Sequence, residues 1–586
     1  MHRINKEETN VKESMSIVEM IDHCVRMDPE HTAIETPTAS LTYGDLDKES
    51  RSLVSHIERM TVPGEFVGIE GQRNAATIVA MVGLLRAHRP FVVIDPRDSA
   101  ESNRSKISRL RVNRVAQGTA NPGEVELVPT PSPWRGHDTN QLTPRKDLHE
   151  FYGNIAYAIH TSGSTGEPKC VIVARDSLNG VITDHRRRLE VGPQSRTLQF
   201  AKLTFDGCLT EIFWTLCAGA RLVMVDESAL TPGAVLQDTL TRHAITHLKT
   251  TPFALTATEP TPGMHLRHVL NGGGACRPAV VEKWARIAAF HNAYGCTETT
   301  ICNLLTDGLS PEACRDGVPL GDVVGECGVK ITRQKTDHAT ELSSDLCGEL
   351  VITGKSVAIG YLTDDGLQRF SGPADTQVYP TGDIVTVRDG QFFFVERCDR
   401  QVKVRGYRID PGEVESVACR LDTVVEAVVL AESHAVDQDA EATDALVCYY
   451  QGAAGPRMLR RHLEAHLNPY KVPSLFKRLD IMPYTRNGKV DRHALQATRT
   501  PIAGEAATVE AQVMSLVQSL TGLDDAHRND NFFDIGGDSA STLILLGKLK
   551  ELGWTDVGVR DVLRAATLGD LIDAFPGKEA ERLCAV

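Results

Sequence analysis

The sequence lacks any run of about 18 apolar residues, so no membrane-spanning helix is expected. Its first ten residues, Met1 to Asn10, have no apolar core, which argues against a secretory signal. No Cys-x-x-Cys pair occurs among the 14 scattered cysteines, so the common zinc and redox spacings are excluded and reduced thiols in a cytoplasmic protein are expected. Basic charge is not in excess: 63 Lys and Arg stand against 77 Asp and Glu, and a net charge of -14 argues against nucleic acid as the main partner. There is no internal repeat. What remains is an ordinary globular composition, 41% hydrophobic and 24% charged. At roughly 150 residues per unit, 586 residues suggest about four units.

From about residue 16 to 398, strand-like and helix-like segments alternate. Phe66–Ile69 and Phe91–Ile94 read as short buried strands, with a helix from Ala75 to Leu85 between them. Such alternation predicts an α/β architecture with largely parallel sheets. A break falls near Asp399, and a smaller unit runs from there to about 498, with strands at Ala427–Leu430 and Ala445–Tyr450. A linker of small, mixed residues follows from Thr498 to Ala507. The last unit, about 508–578, reads as helical, with Val509, Val513, Leu516 and Leu520 three and four apart.

Two loops carry chemistry. In Asp530-Asn531-Phe532-Phe533-Asp534-Ile535-Gly536-Gly537-Asp538-Ser539, a serine stands behind two glycines where a loop becomes a helix. The glycines permit a sharp turn, and the helix N-terminus favours a phosphate on the hydroxyl. In the second, an apolar strand, Tyr157 to Ile159, runs through His160 into Thr161-Ser162-Gly163-Ser164-Thr165-Gly166-Glu167-Pro168-Lys169. Small residues let backbone N–H groups converge on an anion, hydroxyls add donors and the lysine adds charge. It is not a Walker A loop, because the Gly-Lys-Ser/Thr ending is missing.

Further motifs follow in order: Asn292 to Glu298, Tyr379-Pro380-Thr381-Gly382-Asp383, Arg397 to Ile409, and Asn487-Gly488-Lys489-Val490-Asp491-Arg492. Leu41-Thr42-Tyr43, Phe205-Asp206, Gly348 to Gly354 and Gly360-Tyr361-Leu362 add to them. Together these resemble an amino-acid adenylation domain followed by a thiolation (peptidyl carrier) domain, as found in nonribosomal peptide synthetases within the adenylate-forming (ANL-type) superfamily. The resemblance implies a large N-terminal α/β subdomain over 16–398, a small α+β subdomain over 399–498 and a four-helix carrier domain over 508–578. It implies two half-reactions in one site: a carboxylate attacks the α-phosphate of ATP to give aminoacyl-AMP, and the thiol of 4′-phosphopantetheine on Ser539 then takes the aminoacyl group.

By similarity, Glu298 would hold Mg2+, Tyr294 would stack on adenine, Asp383 would accept from the ribose hydroxyls and Arg397 would assist it. Thr161, Ser162, Gly163, Ser164, Thr165, Gly166, Lys169 and Thr297 would complete the ATP site. Lys489, in the small subdomain, would bridge substrate carboxylate and phosphate. Asp399 matches the hinge, and after rotation Lys403 would face the site. Departures from the family pattern are Cys170, Cys296, Glu396 and the turn His88-Arg89-Pro90; none removes a catalytic group.

Asp206 stands where the family places the partner of the substrate α-ammonium, a role that suits an acidic residue because a buried charge needs a counter-charge. Alignment from Phe205 to Thr300 puts the side-chain pocket at Gly207, Thr210, Lys249, Leu270, Gly272, Ala293, Ile301 and Cys302. A cation at Lys249 asks for an anionic or acceptor partner. The pocket is therefore expected to take aspartate first, then asparagine, with Gly207 and Ala293 leaving more room than aspartate needs.

No His-His-x-x-x-Asp-Gly or Gly-x-Ser-x-Gly motif is present, so peptide formation and release would need another enzyme. Expected partners are an amino acid, a phosphopantetheinyl transferase and a condensation domain or tailoring enzyme in trans, docking near Gly558-Val559-Arg560. A requirement for an MbtH-like helper stays open. Competing readings are a stand-alone aryl- or acyl-acid ligase forming CoA thioesters, and a non-enzymatic carrier scaffold.

Overall fold

Helix Ala75–Arg86 is buried along its whole length from Ala75 to Leu85, which is why its sequence is apolar on every side rather than striped. Asn74 caps it, accepting from the Thr77 N–H at 3.0 Å. The helix connects Val67–Glu70 to Phe91–Ile94, and the two strands pair in parallel, Val67 opposite Phe91 through Glu70 opposite Ile94. A computed structural model describes residues 15–134, 143–161, 169–315, 317–332, 346–372, 376–398, 401–404, 407–434, 443–484, 490, 492–497, 509–521 and parts of 526–574.

The described residues form an eight-stranded and a nine-stranded sheet whose central strands are parallel, as expected from the alternation. Residues from Cys327 to Arg397 depart from that expectation. Apart from Gly360–Thr363 and Gly366–Arg369, which join the eight-stranded sheet, their strands form a four-stranded sheet that is antiparallel throughout. The cause is local: Asp389 and Gly390, at φ 48° and 79°, make a tight turn between Val378–Arg388 and Gln391–Arg397. A two-residue Asp-Gly connection can only return the chain antiparallel.

In the small unit, Val424–His434, Thr443–Gly452 and Leu475–Leu479 form a three-stranded sheet. Its side chains alternate as the strand period requires. Ala427, Val429, Leu446, Cys448 and Tyr450 enter one cluster with Val404 and Ile409. Val428, Leu430, Val447 and Tyr449 enter another with Val490 and with Val513, Leu516, Val517 and Leu520 of helix Val509–Thr521. One face thus carries the hairpin Val402–Val404/Tyr407–Ile409, and the opposite face carries Val490 and the C-terminal helical unit.

In that last unit, the Asn531 amide donates to the carbonyls of Ala565 (3.3 Å) and Ala566 (3.1 Å), and its oxygen accepts from the Phe533 N–H at 2.9 Å. Gly537 lies against Phe532 so closely that a Cβ would sit 2.4 Å from the ring. Asn531 is thus tied to Ala565 and Ala566 and Gly537 to Phe532, while Asp534, Gly536 and residues 538–540, Ser539 among them, lie outside the described residues.

Three histidines stack across adjacent parallel strands. His247 and His268 have ring centroids 5.0 Å apart, and His268 and His291 5.3 Å. Their partners dictate neutral rings. His291 Nδ1 donates to the Thr306 carbonyl (3.0 Å), which leaves Nε2 to accept from His268 Nδ1 (3.0 Å). His247 Nε2 donates to the Leu189 carbonyl (2.8 Å), and its Nδ1 accepts from Thr246. Burial pushes His247 and His291 down to about 4 and lowers His268. A folded pKa below the unfolded value of about 6.5 means that stability is lost as pH falls from about 6.5 toward 4, by about 1.4 kcal/mol per pH unit per group. Glu211, pushed up to about 7 by burial, works in the opposite sense over this range. Comparing variants isolates the histidines: His291→Gln should flatten the fall of unfolding free energy between pH 6 and 4.5 by about one proton's slope. Equal slopes in denaturant titrations of the two proteins would refute this.

Candidate active site

The described ends of the hydroxyl- and glycine-rich loop are held by an antiparallel pair, Thr161 opposite Lys169. Residues 162–168 between them, and with them Ser162, Gly163, Ser164, Thr165 and Gly166, lie outside the described residues. Thr161 Oγ1 is buried and has no hydrogen-bond partner among the described residues. Lys169 Nζ lies 4.8 Å from the centroid of the Tyr361 ring. Tyr361 in turn donates to Glu298 Oε1 at 2.7 Å, so the cation at the end of the loop and the buried carboxylate share one aromatic neighbour.

Glu298 is only 1% exposed. It rides on a short 3-10 turn, Thr297–Thr299, between Gly295 and the residues Thr300 and Ile301. Both of the latter have left-handed backbone, φ 61° and 70°, which β-branched residues avoid. Gly295 permits the crossing, since a Cβ there would stand 2.4 Å from the Ile301 carbonyl oxygen. The loop thus stores strain directly beside the carboxylate. Burial pushes the Glu298 carboxyl up, but Arg408 and the Tyr361 hydroxyl outweigh it and the net shift is downward. Arg408 Nη1 lies 2.7 Å from Oε2.

Tyr294 and Asp383 meet although 89 residues apart, the phenol donating to Oδ2 at 2.5 Å. Arg397 stands opposite Asp383 across the antiparallel pair and bonds Oδ1. Lys403 Nζ lies 5.9 Å from the Tyr294 ring centroid, and burial lowers its pKa against the pull of Asp383. Lys403 is half-buried, close to Tyr294 and Asp383. Thr297 and Asp206 are adjacent: burial raises the Asp206 carboxyl, the Thr297 hydroxyl opposes it, and Oδ2 is buried with no partner.

Asp206 opens helix Gly207–Leu216. Glu211 accepts from the Phe200 and Ala201 N–H groups, and Arg73 binds the carbonyls of Gln199, Phe200 and Ala201, which braces the segment leading to Asp206. Lys249, on strand His247–Thr250, points inward. Its Nζ donates to the Gly207 carbonyl (2.9 Å) and Thr210 Oγ1 (2.5 Å). A Cβ at Gly207 would stand 3.3 Å from that Nζ, and one at Gly272 3.6 Å from Cε. The room expected at Gly207 is filled by Lys249 itself. Leu270 pairs with Lys249 across the sheet and packs with Cys302, Trp214, Ala293 and Ile301 in one apolar cluster.

His185 was not legible as part of this region. It stacks on Trp214 at 5.9 Å and hands Nδ1–H to the Val181 carbonyl at 2.9 Å, leaving Nε2 buried without a partner. Burial and Lys249 push it down to about 4. Only its i,i+4 bond within an ordinary helix marks it, and the sequence holds no signal that Trp214 lies above. Arg408 was likewise read only as part of a motif. Lys489, Asp399 and Ser539 lie outside the described residues.

The described residues thus bring together a buried carboxylate, Glu298, with Tyr361 and Arg408, an aromatic–carboxylate–arginine group at Tyr294, Asp383 and Arg397, and the paired Asp206 and Lys249 region. The chain belongs to the AMP-binding enzymes: that family model matches residues 21–362, the AMP-binding enzyme C-terminal domain 413–489, and a phosphopantetheine attachment site 511–575. It is an adenylation–carrier didomain. Among curated relatives, bacitracin synthase 3 of Bacillus licheniformis is 30% identical over 99% of the chain and 9% of its own length. Isonitrile lipopeptide synthase of Mycobacterium tuberculosis is 32% identical over 94% of the chain and 22% of its own length. The chain thus spans a small part of these relatives. A solved holo NRPS protein containing adenylation and PCP domains superposes with a TM-score of 0.74 at 22% identity, covering 96% of each chain. The Vibrio cholerae adenylation domain AlmE gives 0.68 at 22%, over 85% of this chain and 99% of its own. Among the described residues, no helix is long and apolar enough to cross a membrane.

Proposed function

We propose that the chain activates an acidic or amide amino acid, aspartate first and asparagine second, as aminoacyl-AMP and loads it onto a phosphopantetheine thiol at Ser539. The observation that carries the substrate is Lys249: its ammonium meets the start of the helix that Asp206 opens, it is bonded only to the neutral oxygens of Gly207 and Thr210, and no carboxylate of the described residues lies within ion-pair distance. Two of its three donors are used, and the third is free for a side-chain oxygen. Asp206, with a bare buried oxygen, suits the α-ammonium. That pairing disfavours the reading as a stand-alone aryl- or acyl-acid ligase, whose substrates carry no such charge. The attachment-site match speaks against the same alternative.

The remaining groups suit the chemistry of attack between anions, which needs alignment and charge neutralisation more than covalent help. Glu298 fits a hard divalent cation: it is a low-pKa oxygen donor, and no cluster of three or more His, Cys, Asp or Glu ligands exists among the described residues, as suits Mg2+ held by one carboxylate, waters and phosphates. When bound, that ion would neutralise phosphate charge. Tyr294 would flank the base, Asp383 with Arg397 would orient the ribose, and Lys169 would bind phosphate oxygen. Lys489 would steady the carboxylate in a different closure, because Val490 packs on the sheet face opposite the hairpin that carries Lys403 and Arg408. Asp399 at the boundary would be the hinge between units 16–398 and 399–498, with the carrier over 508–578. A phosphopantetheinyl transferase, a downstream condensation domain or tailoring enzyme, and an MbtH-like helper complete the proposal.

The test is amino-acid-dependent ATP–pyrophosphate exchange across the twenty standard amino acids. Aspartate or asparagine should dominate, and Lys249→Ala should cut kcat/KM for that substrate by about 100-fold, the value of a charge-assisted hydrogen bond of about 2–3 kcal/mol. Unchanged selectivity in Lys249→Ala would remove the lysine from the pocket reading.

A further inference from the structure

In this closure both oxygens of Glu298 are taken. Tyr361 donates to Oε1 at 2.7 Å, and Arg408 holds Oε2 at 2.7 Å. Tyr361 belongs to the large subdomain. Arg408 belongs to the hairpin Tyr407–Ile409, whose Ile409 packs into the small subdomain's core. The arginine is aimed by its own side: its Nε donates to Gln401 Oε1 at 2.6 Å. The neighbouring Tyr407 stacks on Tyr470 at 4.6 Å and meets the edge of Phe205 at 5.0 Å, so the hairpin arrives at Glu298 with its position fixed by aromatic contacts. Glu298 faces no second cation at ion-pair distance among the described residues.

We infer that Arg408 and the divalent cation are alternative occupants of Glu298, so that this closure of the small subdomain and metal binding exclude one another. The inference rests on the reading of Glu298 as the metal ligand. A bound Mg2+ sits about 2 Å from its oxygen ligand and demands that lone pair with near-octahedral geometry. The Arg408 nitrogen already stands 2.7 Å from the same oxygen. Placing both there would set a divalent ion and a guanidinium within about 5 Å of each other in a buried site, where like charges repel strongly. The exchange also works in reverse. Without the metal, Glu298 would be a buried carboxylate with no counter-charge, which is costly. Arg408 removes that cost only when the hairpin swings in. A Glu298 without a metal would therefore be the anionic socket that Arg408 fills, and the hairpin in place would hold the carboxylate against a returning cation. Because coupling is reciprocal, the factor by which closure weakens metal binding is the factor by which the metal disfavours closure, so a weakened Arg408 contact should strengthen metal binding.

Two measurements on the full chain test this. Mn2+ alone serves as the metal probe, with its affinity read from the free-ion electron paramagnetic resonance signal. Arg408→Gln should tighten Mn2+ binding at least tenfold, whereas Arg408→Lys, which keeps the charge, should bind as weakly as the unaltered protein. In parallel, fluorophores at Lys330 on the large subdomain and Met458 on the small one should report loss of this closure as Mg2+ is added, and Arg408→Gln should remove that metal dependence. Equal Mn2+ affinity in all three proteins would overturn the inference. The underlying reading fails separately: if Glu298→Gln leaves Mn2+ binding intact, Glu298 is not the ligand.

Discussion

Ser539→Ala is expected to abolish aminoacyl loading completely while leaving amino-acid-dependent ATP–pyrophosphate exchange within about twofold, the size of a surface change of a few tenths of a kcal/mol. The separation follows from where the groups lie. Tyr294, Asp383, Arg397, Glu298, Asp206 and Lys249 all belong to the large subdomain, while the run Asn531 to Gly537 belongs to the C-terminal helical unit. The described residues of that unit pack on the sheet face opposite the hairpin that carries Lys403 and Arg408, so the first half-reaction is expected not to need the serine. The substitution is expected to be structurally mild, because Asn531 stays on the Ala565 and Ala566 carbonyls and Gly537 against Phe532. The check is intact-mass analysis after treatment with a phosphopantetheinyl transferase, ATP and substrate. Persistent covalent aminoacylation in Ser539→Ala would move the attachment site elsewhere. Loss of exchange as well would tie the carrier unit to the first half-reaction.

The parts of this molecule that could be read in advance are those where chemistry constrains local sequence. The order of small residues, hydroxyls and a lysine from Thr161 to Lys169, and the glycine pair before Ser539, are visible in the sequence as candidate loops, but residues 162–168 and Ser539 lie outside the described residues. Parallel strands buried on both faces read as short apolar runs, so Phe91–Ile94 was legible to the residue. The antiparallel sheet between Cys327 and Arg397 was missed although its deciding feature, the two-residue turn Asp389-Gly390, stands between the apolar runs Ile384–Val387 and Phe392–Val395, a hairpin pattern that the reading of a general strand–helix alternation passed over. The arrangement of Lys249 was half legible. A lysine in a pocket suggests an acceptor, but that its ammonium fills the space above Gly207 depends on a single helix, Gly207–Leu216, whose Thr210 and Gly207 lie 39 and 42 residues away in sequence. His185 and Arg408 carry no local mark at all. Their meaning arises from Trp214 and Glu298, which only the fold brings to them.

Asp206→Asn should have the next largest effect, and its signature is a change of selectivity rather than simple loss. Asp206 Oδ2 is buried with no hydrogen-bond partner, and burial raises the carboxyl even with Thr297 and Lys249 opposing it. A carboxylate held in that condition is poorly solvated and gains most from an arriving ammonium group, whose charge lowers the acid's pKa and restores the missing partner. Replacing it with a neutral amide of the same shape keeps the Thr297 contact and the helix start but removes the counter-charge. A buried charge left unpaired costs about 3–5 kcal/mol, here falling on the substrate ammonium, so kcat/KM for the preferred amino acid should drop by 100-fold or more. A substrate analogue with hydrogen in place of the α-amino group should behave oppositely. In the unaltered protein it leaves Asp206 unpaired and reacts poorly; in Asp206→Asn it should be used as well as before or better, since no charge is stranded. The deciding quantity is the ratio of exchange rates for the amino acid and its deamino analogue. If that ratio is the same in both proteins, Asp206 does not bind the ammonium, and the strained turn holding Thr297 and Glu298 becomes the next place to look for the group that does.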